Sequence, residues 1–68
     1  MTPLTLRLKA LRKRAGLSQA ELARRSGVAQ PTISRIEAGL RRDVGLDVID
    51  KLARALGVSP RSLLQSKR

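Results

Sequence analysis

Sixty-eight residues with no Cys, His, Phe, Tyr or Trp leave room for one small domain, 1–68, whose core must be aliphatic. Disulfides, most zinc and haem sites, Ser-His-Asp and Cys-His catalysis, and an aromatic platform for stacking single-stranded bases are all excluded. Fifteen Lys and Arg against five Asp and Glu give a net charge of +10, which favours a polyanionic partner over a merely solvated surface.

In chain order, Thr2 can cap a first helix that begins at Pro3. Leu4, Leu8, Leu11 and Ala15 recur at helical spacing. Leu4, Leu6 and Leu8 also alternate as in a strand, but Leu8, Leu11 and Ala15 fit only the longer period. Gly16 ends this helix. Ser18 with Glu21 three residues on forms a capping box for a second helix, whose inward face is Leu22 and Ala23 and which stops at Gly27. The third helix starts near Ala29 or Gln30, because Pro31 fits only a first turn, and closes at Gly39. A loop with Arg41, Arg42 and Asp43 leads to Gly45. A fourth helix lined by Val48, Ile49, Leu52, Ala53 and Leu56 ends at Gly57, and Ser59 and Pro60 open a short fifth carrying Leu63 and Leu64. Residues 65–68 are a polar tail. The expected fold is all-α, a five-helix bundle. No apolar run approaches the roughly 18 residues of a membrane span, and Arg7 and Lys9 interrupt any signal peptide. A soluble, cytoplasmic chain without cofactor or metal is expected.

The second and third helices, joined by a turn containing Gly27, make a helix-turn-helix over about residues 18–38. Ala23 is small where the helices cross. Leu22, Val28, Ile33 and Ile36 form the wedge that fixes the crossing. With that face buried, the short third helix still presents Gln30, Pro31, Thr32, Ser34 and Arg35.

The run LSQAELARRSGVAQPTISRIEAG resembles the Cro/repressor-type (XRE-like) helix-turn-helix domain, and LKALRKRAGLSQ and VIDKLARALGVSPRSLL extend the likeness over nearly the whole chain. The resemblance implies a lambda-repressor-like bundle that binds double-stranded DNA as a homodimer on a palindromic operator, with the third helix in the major groove. Gln30 and Arg35 are then the leading base readers, since Gln can pair bidentately with adenine and Arg with guanine. Ser34 and Pro31 come next, Pro31 against a thymine methyl, and Thr32 is expected on the backbone. Gln19, at the start of the second helix, matches a position that holds a phosphate in the family, its plain alternative being a weak cap. Arg41 and Arg42 could approach the backbone or stay unengaged. Arg12 and Glu37 match charged positions that pair between the first and third helices, so a partly buried salt bridge that positions the third helix is expected. Ala29 and Gly45 depart from the family pattern, which more often places a capping hydroxyl at each.

No constellation of nucleophile, base or paired carboxylates suggests an enzyme. The competing reading is an interaction module of the antitoxin kind, which binds a partner protein such as a toxin as well as DNA, although no toxin-binding extension is visible beyond Leu64. A membrane-surface peptide at LTLRLKALRKR is disfavoured because its leucines are needed in the core. RNA binding fits the charge but not the element geometry. A dimer surface is expected on the fifth helix and tail, from Leu40, Val58, Leu63 or Leu64.

Overall fold

The computed structural model describes residues 3–40 and 44–64. Thr2, Arg41, Arg42, Asp43 and the tail 65–68 lie outside the described residues, as do the side chains of Leu4, Leu6 and Leu64. Among the described residues five helices follow one another: α1 (Pro3–Arg14), α2 (Gln19–Ser26), α3 (Gln30–Glu37), α4 (Leu46–Leu56) and α5 (Pro60–Leu64). They agree with the all-α reading.

Local chemistry sets the boundaries. The Ser18 hydroxyl accepts from the Glu21 N–H at 3.0 Å, and the Ser18 N–H donates to the Glu21 carboxylate at 3.1 Å. This reciprocal box satisfies two N–H groups that the start of α2 would otherwise leave unpaired. Leu17 and Leu22 flank it at the positions of a hydrophobic staple, and both enter the core. α3 begins without a side-chain cap at Ala29. Pro31 has no N–H to satisfy, while the Thr32 and Ile33 N–H groups turn back to the Ala29 carbonyl at 3.0 and 3.2 Å. Gly45 likewise caps α4 with backbone alone.

Among the described residues, ten make the core: Leu8, Leu17, Leu22, Val28, Ile33, Ile36, Ile49, Leu52, Ala53 and Leu63. They come from all five helices and from the turns beside α2. α1 lies against α3 and α5, α2 against α3 and α4, and α4 against α5. The wedge of Leu22, Val28, Ile33 and Ile36 is wholly inside, with Ala23 packed at its edge. Two expectations need correction. Ala15 is exposed, because it sits one residue past the last turn of α1 where the helical period no longer applies. Leu63 is fully buried. α1 and α4 close over α5, so Leu63 serves this chain's own core and is lost to any dimer surface. Leu40 and Leu46 are instead the large exposed apolar side chains among the described residues.

The α2–α3 turn depends on Gly27, with φ 78° and its N–H on the Ala23 carbonyl at 2.9 Å. A Cβ there would meet nothing within 4 Å, so substitution is opposed by the left-handed backbone alone. Gly27→Ala is therefore expected to lower unfolding free energy by about 1–2 kcal/mol. Chemical denaturation checks this, and Gly27→Asn should lose less.

Candidate nucleic-acid interface

The face of α3 follows from its period. At about 100° per residue, Gln30, Ser34, Pro31 and Arg35 fall within one arc of roughly 140°, Ile36 and Ile33 lie on the other side, and Glu37 sits at the edge of the arc, about 20° from Gln30. The first four are exposed and the other three buried. Thr32 lies at the margin between the two and is half-buried. Among the described residues, none of Gln30, Pro31, Thr32, Ser34 and Arg35 makes a side-chain hydrogen bond or ion pair. The structure thus brings five of the candidate residues to one surface, and places Arg41 and Arg42 outside the described residues.

Behind that surface sits a charged network. Arg12 of α1 donates through Nε to Glu37 Oε2 at 2.6 Å and through Nη2 to Oε1 at 2.9 Å. A third donor, Nη1, reaches the Leu17 carbonyl at 2.9 Å. Gln19 Nε2 donates to the same Glu37 Oε1 at 3.0 Å. One carboxylate at the C-terminal end of α3 is therefore held by α1 and by the first residue of α2, while Arg12 also closes the turn between those two helices. The planar guanidinium suits this, since it presents its donors as a fixed fork.

Burial pushes the Glu37 carboxyl upward. Hydrogen bonds from Arg12 and Gln19, with the positive field of Arg12 and Lys9, outweigh that push and hold it below its ordinary value of 4.5. For Arg12, the hydrogen bond to Glu37 raises the guanidinium against its own burial. The pair is ionised throughout the neutral range. No buried side-chain nitrogen or oxygen among the described residues lacks a partner.

Three features here were not read from the sequence. Gln19 contacts Glu37 across 18 residues, beyond the phosphate or capping role its position at the start of α2 suggests. Leu17 contributes both a core side chain and the carbonyl that takes Arg12; its place before a capping box was the available signal. Ser26 is buried, and its hydroxyl accepts from the Val28 N–H at 3.1 Å, tightening the turn around Gly27. A Ser two residues before an N–H in a turn is the local pattern that makes this bond.

A helix-turn-helix family profile matches residues 8–63. The chain belongs to the helix-turn-helix family. Within that family it is 38% identical over 61 residues to the HTH-type transcriptional regulator SinR of Bacillus subtilis, a match covering 90% of this chain and 55% of SinR. The chain thus spans about half the length of that curated relative. Its fold matches a chain of the SinR protein/SinI protein complex with a TM-score of 0.91 and 35% identity, over 96% of this chain and 63% of the other. It matches the restriction-modification controller protein C.AhdI from Aeromonas hydrophila with a TM-score of 0.84 and 42% identity, over 91% of this chain and 92% of the other. Antitoxin HigA1 of Mycobacterium tuberculosis is 45% identical over 58 residues, covering 85% of this chain and 38% of HigA1.

The depressed Glu37 pKa fixes a sign for stability. A carboxyl whose folded pKa lies below its unfolded value stabilises the fold fully above the unfolded pKa, and that contribution disappears as pH falls through the folded one. Wild-type stability should fall below about pH 4.5 more steeply than that of Glu37→Gln. The variant's remaining acid sensitivity would include Glu21, held low mainly by the Ser18 N–H. At neutral pH, Glu37→Gln leaves Arg12 without its counter-charge and should cost about 3 kcal/mol. Urea unfolding of both proteins across pH 3–7 measures both effects.

Proposed function

We propose that this chain binds double-stranded DNA sequence-specifically and regulates transcription, as a repressor that lays α3 in the major groove of its operator. The observation that carries this reading is the exposed arc of α3. Gln30, Ser34 and Arg35 are amide, hydroxyl and guanidinium side chains without partners among the described residues, on a helix whose opposite side is sealed in the core. A helix fits the major groove, where base edges offer the donors and acceptors that such groups match. The net charge of +10 supplies the long-range attraction.

In this reading Arg35 pairs with guanine and Gln30 with adenine, Ser34 and Pro31 complete the base surface, and Thr32 reaches the backbone. Arg41 and Arg42 add phosphate contacts after α3. Gln19 gives one amide hydrogen to Glu37 and keeps a second for a phosphate oxygen. Arg12 and Glu37 position α3 and do not touch DNA. The chain works in the cytoplasm as a homodimer on a palindromic site, with half-sites about 34 Å apart. Of the expected dimer surface, Leu40 is 77% exposed and Val58 half-buried.

A second reading, a module that also binds a partner protein, draws on the identity to antitoxin HigA1 and on the SinR neighbour seen with SinI.

Selection from a random duplex library at about 150 mM salt, with mass measured on the winning complex, separates the two. An enriched inverted repeat carrying two chains supports the repressor reading. Survivors with no common sequence would remove it and turn the search to a protein partner. Arg35→Ala should then relax preference at one base pair of each half-site, at about 1–3 kcal/mol. Competition binding against single-base variants checks this, and a loss equal for every sequence would contradict base reading by Arg35.

A further inference from the structure

Among the described residues, Lys9 stands beside the network without an evident task. Lys9 lies on α1 three residues before Arg12, within about 60° of it around the helix axis, and Lys13 follows about 40° to its other side. Arg12 turns inward to Glu37 and the Leu17 carbonyl. Lys9 and Lys13 are exposed, and neither makes an ion pair or a side-chain hydrogen bond among the described residues. The positive field of Lys9 nevertheless reaches the Glu37 carboxylate, where it acts alongside the hydrogen bonds from Arg12 and Gln19. Gln19 of α2 is bonded to that carboxylate, and on α1 Lys9 flanks the Arg12 that holds it.

This corner has a definite charge balance. Arg12 and Glu37 cancel in a bidentate pair. Gln19 is neutral. Without Lys9, the amide of Gln19 would have only a buried, neutralised ion pair behind it, and an arriving DNA phosphate would meet no net positive charge there. With Lys9, the corner gains a net positive charge carried on a flexible four-carbon stem.

We propose that Lys9 is a phosphate-contacting residue, by which α1 joins the DNA interface next to Gln19. This rests on the DNA-binding reading above. The contact reaches the sugar–phosphate backbone and carries no sequence information. Its signature is therefore a change in salt dependence with base preference intact. Lys13, one turn on, extends the same basic stripe.

The test compares the wild-type chain with Lys9→Gln, Lys9→Arg and Arg61→Gln. Arg61 is exposed on α5, so its variant removes the same unit of charge away from this corner. Binding is measured on the selected duplex and on an unrelated duplex from 50 to 200 mM salt, with thermal melting of each protein as a control. Lys9→Gln should reduce the slope of log affinity against log salt by about one. Between those salt limits the wild-type affinity should then fall about threefold to fourfold more than that of Lys9→Gln. The loss should be the same for both duplexes, Lys9→Arg should restore the slope, and melting should be unchanged. Arg61→Gln should keep the wild-type slope. An unchanged slope for Lys9→Gln, or an equal loss for Arg61→Gln, would overturn the Lys9 contact while leaving the DNA-binding reading in place. Failure of the wild-type chain to bind either duplex would overturn both.

Discussion

The bidentate bond between Arg12 and Glu37 is the constraint on which the candidate interface depends. Glu37 is one of only five acids in the chain, and it ends the helix whose outer face is the candidate interface. Left bare, it would be a buried charge and a source of repulsion to phosphate. Covered by Arg12, it becomes a fastening. Two parallel hydrogen bonds fix the distance and the rotation of α3 relative to α1. Nonpolar packing alone is non-directional and would fix these less tightly. The Arg12 donor on the Leu17 carbonyl and the Gln19 amide on Oε1 bring the start of α2 into the same arrangement. Both helices of the helix-turn-helix are thus referenced to one side chain of α1.

The aliphatic core supplies the other half of the frame. With no aromatic residue available, each helix contributes small or branched side chains, and the wedge of Leu22, Val28, Ile33 and Ile36 sits where α2 and α3 meet. These residues leave α3 nowhere to rotate, because a turn about its axis would drag an isoleucine into water. A short helix of eight residues is too short to be stable alone. Its conformation is a product of this burial, so the outward display of Gln30, Ser34 and Arg35 is rigid only as long as the inward face is full.

Much of this frame was legible in the sequence because it is encoded locally. Glycines past the last helical residue and the Ser18–Glu21 box mark helix ends through backbone chemistry that acts over three or four residues. The wedge was legible from helical spacing, and the exposed arc of α3 followed from it. Legibility declined where contacts join distant segments. The partnership of Arg12 with Glu37 spans 25 residues and was accessible only through the likeness to a family pattern. The bond from Gln19 to Glu37 was not accessible at all, since it requires knowing how α2 meets the end of α3. Leu63 was placed on the wrong side for a related reason. A helix of five residues has too little period to show its inner face, and only its packing between α1 and α4 settles the matter. Ala15 failed in the opposite way, by continuing a period beyond the helix that generated it.

The central claim is that α3, braced from α1, is the element that enters the groove. It is tested most directly by recording amide and guanidinium NMR spectra of the chain free and bound to its selected duplex. The account predicts that the backbone amides from Gln30 to Arg35 and the side-chain amide of Gln30 shift most and show contacts to major-groove base protons. The Arg12 Nε–H signal should hold its position, because its bond to Glu37 is already made before DNA arrives. Largest shifts on α4 and α5 with α3 unmoved, or a displaced Arg12 signal, would contradict it.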